Sequence, residues 1–366
     1  MKRISSLYVH IPFCESICSY CDFCKMFYNE NTCDKYIKVL LKELKDIDIT
    51  NKLKTIYIGG GTPSSLSVNQ LEILLKNLQN YLDDEYEFTI EVNPETVNEE
   101  KVNLFSRYGI NRVSIGVQSF DSNILILLNR KHTYDDVKYC VSLLNKYNIN
   151  NYSFDFIYGI KNQNLEVLKK DLSLAIDLKP KHLSFYSLIL EDNTILKINN
   201  YKEEEEDRVR EHYDYIYYVL KNNGYVRYEV SNFSLKGYES KHNLVYWNNE
   251  EYYAIGVGAS SYVNNVRYTT SRNITNYLKG NKNKEEFEVE KEKEYIMLKL
   301  RLDKGFNLNE YKSIFCEDFL LKYESVVGQL LENNMIIIED GNFRTTYDGM
   351  MLLDTILVKL MWGEDE

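Results

Sequence analysis

The sequence lacks any long hydrophobic run and any excess of positive charge. No stretch reaches the roughly eighteen consecutive apolar residues that a transmembrane helix needs. The apolar run before the first cysteine is too short for the hydrophobic region of a secretory signal peptide. Asp and Glu (55) outnumber Lys and Arg (44), so the net charge is −11 and no broad basic face is available for a phosphate backbone. These absences predict a cytoplasmic protein that neither spans a membrane nor binds nucleic acid.

Cysteine is scarce except in one short segment. The chain has 7 cysteines, and Cys14, Cys18, Cys21 and Cys24 all lie within HIPFCESICSYCDFCKMF (10–27). An odd number of cysteines, concentrated in this way, does not resemble a disulfide framework. In a reducing compartment such a segment is more typical of metal binding or redox chemistry.

Short β-rich runs alternate with helical patterns over the first half of the chain. The intervals have room for crossover helices, for instance DKYIKVLLKELKDI (34–47) and LEILLKNLQNYL (71–82). Repeated strand and helix predict a parallel sheet, and six such units with polar or glycine residues at the strand ends predict an α/β fold, a partial (β/α)6 TIM-like barrel with its site at those ends. The predicted strands are LYVHIPF (7–13), TIYIGG (55–60), FTIEVNP (88–94), RVSIGVQSF (112–120), YSFDFIYG (152–159) and HLSFYSLIL (182–190).

The regular alternation fades after residue 200. An acidic helical stretch (201–224) precedes GYVRYEVSNF and HNLVYWNN, and the polar run KGNKNKEEFEVEKEKE (279–294) predicts a boundary. A helical pattern, a hairpin with Asp340, Gly341 and Asn342 at its turn, and a last amphipathic helix then predict a winged-helix-like appendage, which is acidic and better suited to packing or docking than to DNA. We therefore predict three units, at 1–200, 201–285 and 286–366.

The cysteine spacing leaves two kinds of metal site open. Thiolates bind zinc and iron-sulfur clusters alike. A structural zinc needs four ligands, and Cys24, Cys33 or His10 could complete a set begun by the pattern C-x3-C-x2-C. Three cysteines alone would instead leave one iron of a 4Fe-4S cluster open to a substrate or cofactor.

The motif C-x3-C-x-aromatic-C directly after a first strand, with Tyr20 as the aromatic residue, resembles the signature of radical S-adenosylmethionine (SAM) enzymes. The resemblance implies that Cys14, Cys18 and Cys21 hold a 4Fe-4S cluster, that SAM occupies the open iron, and that Cys24 is not a ligand. The glycines of YIGGGTPSSL (57–66) would let backbone groups approach the methionine ammonium of SAM.

Four polar residues lie at or shortly after predicted strand ends: Glu91, Gln118, Arg130 and Asp155. SAM carries an ammonium, a carboxylate and a ribose diol, so its binding requires acceptors for the ammonium and the ribose and a cation for the carboxylate. Two acids, one amide and one arginine match that requirement.

Several stretches resemble the oxygen-independent coproporphyrinogen oxidases and their relatives, the HemW-type heme chaperones. The shared phrases span residues 7 to 262 and are LYVHIPFC, GGGTPS, IEVNP, GVQSF, FIYG, YSL, RYEVSNF, HNLVYW and GVGAS. The resemblance implies reductive cleavage of SAM, fed by a flavodoxin- or ferredoxin-type donor. The residues that would contact SAM are Tyr8, Tyr20, Gly60, Gly61, Thr62, Glu91, Gln118, Arg130, Asp155 and Ile189.

Three features favour the chaperone over the oxidase. Oxidases of this family carry a further cysteine where this chain has Phe23, and they have an extension ahead of the first strand, where only six residues precede Leu7. HNLVYW (242–247) resembles the HNxxYW stretch of the chaperones, and His242 could ligate heme iron beside the flat surfaces of the aromatic pair. We expect a chaperone that binds cluster, SAM and heme and delivers heme to respiratory hemoproteins. The alternative is coproporphyrinogen III dehydrogenation.

The chain departs from the family pattern in two loops. Asn129 stands where a glycine usually precedes the arginine, and Lys161 and Asn162 replace a common Pro-Gly pair. Both departures put loop geometry in question more than cofactor binding.

Overall fold

The computed structural model describes residues 3–281 and 284–362. Its strands are β1 (Ser6–Ile11), β2 (Phe13–Cys14), β3 (Met26–Phe27), β4 (Leu53–Gly60), β5 (Leu82–Val92), β6 (Arg112–Gln118), β7 (Tyr152–Tyr158), β8 (His182–Ser187), β9 (Val226–Glu229), β10 (Asn232–Ser234), β11 (Tyr253–Ile255), β12 (Ser260–Val263), β13 (Val266–Thr270), β14 (Lys284–Glu288), β15 (Phe306–Asn307), β16 (Ile336–Glu339) and β17 (Asn342–Thr345).

The α-helices lie between and after these strands. They are α1 (Glu30–Asp46), α2 (Val68–Leu78), α3 (Glu99–Arg107), α4 (Ser122–Leu127), α5 (Tyr134–Lys146), α6 (Leu165–Asp177), α7 (Ile195–Ile198), α8 (Glu206–Asn222), α9 (Lys241–Trp247), α10 (Ile274–Leu278), α11 (Lys291–Lys299), α12 (Leu308–Phe315), α13 (Phe319–Lys322), α14 (Glu324–Glu332), α15 (Tyr347–Met351) and α16 (Leu353–Trp362). Within the described ranges, no helix is both long and apolar enough to cross a bilayer.

The main sheet confirms the predicted α/β architecture. Its hydrogen-bonded order is β11-β1-β4-β5-β6-β7-β8-β10-β9. The six predicted strands, β1 and β4 to β8, are neighbours in chain order and parallel, and helices connect each to the next. These strands are almost continuously buried, as in β1 and β6, and β6 alternates its apolar residues with Arg112, Ser114 and Gln118.

The sequence did not predict the two edges of this sheet. β11 pairs in parallel with β1, and β10 and β9 continue the sheet beyond β8 in antiparallel fashion. β11 has only three residues, so its membership of the sheet depends on a partner almost 250 positions away in the chain.

The polar run at 279–294 forms structure on its described side. Lys284–Glu288 is an exposed edge strand paired with β13 in the sheet β12-β13-β14, while residues 282 and 283 of the run lie outside the described residues. The predicted boundary at 285/286 falls inside this strand, and the outermost residues of the first and last predicted units, 1–2 and 363–366, are also outside the described ranges. The division into three units stays a prediction.

The C-terminal portion is helical and builds its own apolar cluster. Buried side chains from Tyr295 to Leu360 pack together around the small sheet β15-β17-β16. The predicted hairpin is present as β16 and β17. Its turn consists of Asp340 and Gly341, both at positive φ (51° and 75°), while Asn342 already belongs to β17.

The two unusual loops adopt left-handed backbone conformations. Asn129 has φ 54° and Asn162 has φ 70°. Asparagine is among the residues other than glycine that tolerate this region best, so both loops keep a conformation that a glycine would also adopt.

Candidate functional site

A cavity of about 540 Å³ lies at the C-terminal ends of the parallel strands. This volume falls in the range of small-molecule sites. Most of the predicted site residues line it: Cys14, Cys18, Tyr20, Cys21, Gly60, Gly61, Thr62, Glu91, Gln118, Arg130, Asp155 and Ile189. Tyr8 and His242 do not.

Ser19 fixes the cysteine loop to two neighbouring elements. Its backbone N–H donates to the carbonyl of Leu128 (3.1 Å), and its hydroxyl donates to the carbonyl of Leu127 (2.7 Å). Its own carbonyl accepts from the N–H of Leu196 (2.9 Å). Since Ser19 is buried between two of the predicted ligands, these three bonds hold the loop in one place over the cavity.

The first predicted ligand is the most enclosed. Cys14 is buried at the end of β2, where the hydroxyl of Thr62 lies 3.5 Å from its Sγ. Burial raises the pKa of the Cys14 thiol to about 11. The thiol therefore favours its neutral form until a metal takes the place of the proton.

The glycine run is required by packing against the first strand. Gly60 has φ 116°, and a Cβ there would lie 2.5 Å from the ring of His10; a Cβ on Gly61 would lie 2.9 Å from the Sγ of Cys14. The His10 ring in turn bonds Tyr8 Oη (3.0 Å) and the carbonyl of Cys24 (2.8 Å). Because Gly60 and Gly61 have no side chain, the end of β4 packs directly against the cysteine loop.

Glu91 is held at the floor of the cavity. Its carboxylate accepts from the hydroxyl of Tyr57 (2.8 Å) and from the N–H of Gly60 (3.0 Å). Burial raises the pKa of Glu91 to about 7. Burial makes the ionised form of this carboxyl group costly, and a cationic ligand would stabilise that form. The position is therefore suited to an ammonium group.

Arg130 and Gln118 both lie beside Gly116 on the wall of the cavity. The Arg130 guanidinium is buried and donates to Asn93 Oδ1 (2.8 Å) and to the carbonyl of Gly116 (2.7 Å), while its Nε has no hydrogen-bond partner among the described residues. Gln118 has φ 63°, unusual for a residue other than glycine, and a Cβ on Gly116 would lie 3.0 Å from its Nε2. An unsatisfied cationic donor next to an amide suits a carboxylate ligand.

Asp155 on β7 lies beside polar residues of the neighbouring strands β6 and β8 that the sequence analysis missed. Ser114 donates to Asp155 Oδ2 (2.8 Å), and burial raises the pKa of that carboxyl while the bonds from Ser184 and Ser114 oppose the change. Arg112 is fully buried, and it lines the cavity together with these residues. The alternation of polar and apolar residues in β6 would have indicated those of this strand, because Arg112, Ser114, Gly116 and Gln118 recur with a period of two and therefore share one face.

His242 lies apart from the cavity in a closed network. Its side chain is buried, its Nδ1 bonds Thr55 Oγ1 (2.7 Å) and its Nε2 bonds Tyr246 Oη (2.8 Å). Burial lowers the pKa of His242 to about 3. Its ring stacks on Tyr57 at 5.3 Å, and Tyr57 stacks on Tyr8 at 6.2 Å. Heme ligation by His242 remains a prediction, and as placed the ring has no free nitrogen for an iron.

The cavity offers a suitable donor set for a cluster and SAM. Three thiols from one loop face carboxyl, amide and guanidinium groups on the adjoining strand ends. Within 3–281 and 284–362, no three His, Cys, Asp or Glu side chains converge on one position that could hold a single ion.

Comparisons with known proteins agree with this chemistry. Residues 8–175 match the model of the radical SAM superfamily. The heme chaperone HemW of Lactococcus lactis subsp. lactis (strain IL1403) is 37% identical over 99% of this chain and 98% of its own length, and that of Bacillus subtilis (strain 168) is 33% identical over 95% and 97%. Coproporphyrinogen III oxidase (HemN) from Escherichia coli, described as a radical SAM enzyme, superposes with a TM-score of 0.84 over 98% of this chain and 90% of that one; at 18% identity it shows the fold alone. The chain belongs to the HemW heme chaperone family of radical SAM proteins.

Proposed function

We propose that this chain is a heme chaperone that holds a 4Fe-4S cluster through Cys14, Cys18 and Cys21, binds SAM beside it, binds heme and passes the heme to hemoproteins. The observation that supports the proposal is that three thiols of one loop and polar side chains from successive parallel strands line the same cavity. The names of the relatives supply heme as the cargo.

Different residues of the cavity would bind different groups of SAM. Glu91 and the backbone around Gly60 would accept the ammonium group, and Arg130 with Gln118 would bind the carboxylate. Asp155 would accept from the ribose. Tyr20, Thr62 and Ile189 would contact the rest of the cofactor. When both are bound, cluster and SAM supply one-electron reduction of a sulfonium, and the residues of this chain supply orientation and exclusion of water.

The proposal also assigns a compartment and partners. All seven cysteines are free, which suits the reducing cytoplasm, where a cluster loop stays available. A flavodoxin- or ferredoxin-type protein would donate the electron. The recipients would be hemoproteins, including membrane-bound respiratory enzymes.

Anaerobic reconstitution followed by heme transfer tests the proposal. The reconstituted chain should show the absorbance of a 4Fe-4S cluster, an EPR signal perturbed by SAM, and transfer of bound heme to an apo-hemoprotein. Incubation with coproporphyrinogen III, SAM and reductant should give no protoporphyrinogen at enzymatic turnover. Turnover would instead assign the dehydrogenase activity, and a brown protein without heme transfer would remove the chaperone role.

A further inference from the structure

The outer part of the cavity differs chemically from its floor. Phe23 and Ile189 both line the cavity, yet they are 68% and 64% exposed. We call the region defined by Phe23, Lys25, Ile189 and Arg272 the cavity mouth. Large apolar side chains left in water beside a cavity are costly unless something covers them, so they mark a surface for an apolar ligand.

Two cations accompany these apolar side chains. The Arg272 side chain is 61% exposed; its Nη1 donates to the carbonyl of Asp22 (3.2 Å) and lies 3.6 Å from that residue's carboxylate. The Lys25 ammonium donates to the carbonyls of Cys21 and Phe23. No carboxylate of the described residues lies within 4 Å of it.

Two acids, Asp22 and Glu191, also line the cavity. Asp22 lies beside Arg272, and neither carboxylate lies within 4 Å of the Lys25 ammonium. The Lys25 ammonium therefore remains available to an anionic group, and the exposed Arg272 guanidinium keeps free N–H donors.

The mouth does not match the polar groups of SAM. The ammonium, carboxylate and ribose of SAM find complementary groups deeper in the cavity, at Glu91, Arg130 and Asp155. An apolar surface bordered by two cations instead suits a flat, apolar molecule that carries carboxylates at one edge. Heme has this shape and charge, and His242, the heme ligand predicted from the sequence, is buried outside the cavity.

We propose that heme binds at the cavity mouth, with its macrocycle against Phe23 and Ile189 and its propionates on Arg272 and Lys25. The inference rests on the proposed function, since it takes heme as the cargo. It assigns the cargo to a surface that adjoins the SAM site and shares Ile189 with it.

Three porphyrins separate the contributions of the mouth. Hemin, metal-free protoporphyrin IX and its dimethyl ester are titrated into the cluster-reconstituted full chain, with tryptophan and porphyrin fluorescence as readouts. Phe23→Ala and Ile189→Ala should weaken all three at least tenfold, about 1.4 kcal/mol. Arg272→Gln should weaken protoporphyrin IX about fivefold or more and leave the dimethyl ester unchanged.

Matched controls come from exposed residues that do not line the cavity. Phe27 and Ile198 are 66% and 67% exposed, and Arg107 has a side chain 55% exposed. Phe27→Ala, Ile198→Ala and Arg107→Gln should change each affinity by less than twofold. All variants should keep the cluster absorbance, which checks that the loop is intact.

The outcomes separate this inference from the proposed function. If the unmodified chain binds none of the porphyrins, the chaperone function fails and this inference fails with it. If the chain binds heme but Phe23→Ala behaves like Phe27→Ala, only the mouth is wrong. Loss of heme binding in His242→Ala with SAM affinity retained, together with normal binding in Phe23→Ala, would move the heme to α9.

Discussion

Replacing Asp171 should damage both the fold and the SAM site, although this residue does not line the cavity. Asp171 lies on α6 and is 1% exposed. Its carboxylate accepts from the hydroxyl of Ser119 (2.7 Å) and from the N–H of Phe120 (2.8 Å). These residues directly follow Gln118, whose φ of 63° costs free energy that surrounding bonds must offset.

The size of the effect follows from the two donors. Asp171→Ala leaves a buried hydroxyl and a buried N–H unpaired, at about 1–3 kcal/mol each, so the free energy of unfolding should fall by ~2–5 kcal/mol. Ser119→Ala removes the bond to Asp171 and the bond that Ser119 Oγ accepts from the part-buried N–H of Asp121 (3.0 Å), and should cost about 1–2 kcal/mol. Without its anchor, Gln118 can relax toward ordinary backbone angles, so SAM affinity should fall about tenfold in Asp171→Ala.

The pH dependence gives an independent check. Burial raises the pKa of Asp171 from its ordinary 3.8 to about 6, so the folded state binds this proton more tightly than the unfolded state. The contribution of Asp171 to stability is therefore greatest at low pH and is lost as pH rises through about 6. Relative to Asp171→Asn, which cannot titrate, the unmodified chain should lose ~1 kcal/mol of stability between about pH 5 and pH 7.

Urea unfolding followed by circular dichroism, under anaerobic conditions, measures the stability of the unmodified chain and of the Asp171→Ala, Asp171→Asn and Ser119→Ala variants. Equilibrium dialysis measures SAM binding. A cost below ~1 kcal/mol in Asp171→Ala with unchanged SAM affinity would refute the role of this residue in positioning Gln118.

Four further substitutions address the cavity itself. Cys14→Ala should abolish the cluster absorbance whereas Cys24→Ala should keep it, and loss of the cluster in the latter would contradict the three-ligand assignment. Gly60→Ala should cost more than ~2 kcal/mol in a thermal melt, because its Cβ would meet the ring of His10 at 2.5 Å. Glu91→Gln should weaken SAM at least tenfold by isothermal titration. In the unmodified chain, SAM affinity should rise with pH through about 7, because only the ionised Glu91 attracts the ammonium; a flat profile would count against this contact.

Local pattern was sufficient for the central strands and for the cysteine loop. β4 to β8 were predictable because strands of a buried parallel sheet are rich in β-branched and aromatic residues and alternate with helices along the chain. The residues at their ends could be named because parallel strands present those ends on one side of the sheet. Glu91, near the end of β5, and Gln118, at the end of β6, line the cavity for this reason, whereas Asp155 lies within β7 and Arg130 follows α4.

The polar residues inside the strands could be recognised as cavity residues only from the register of the sheet. Tyr57, Arg112 and Ser184 lie within strands rather than at their ends, and in sequence they resemble ordinary breaks in an apolar run. Only the register between neighbouring strands shows that they share one interior with Asp155.

The sequence by itself determined the order of strands and helices, the cysteine spacing and the chemical types at the strand ends, because each depends on neighbours close in the chain. The tertiary structure alone decided that His242 is enclosed, which short segment becomes a sheet edge and which apolar side chains stay exposed. His242 is enclosed by Thr55, almost 190 positions away, and β11 pairs with β1. Burial is set by all the elements that pack around a residue, and no local window of sequence contains them.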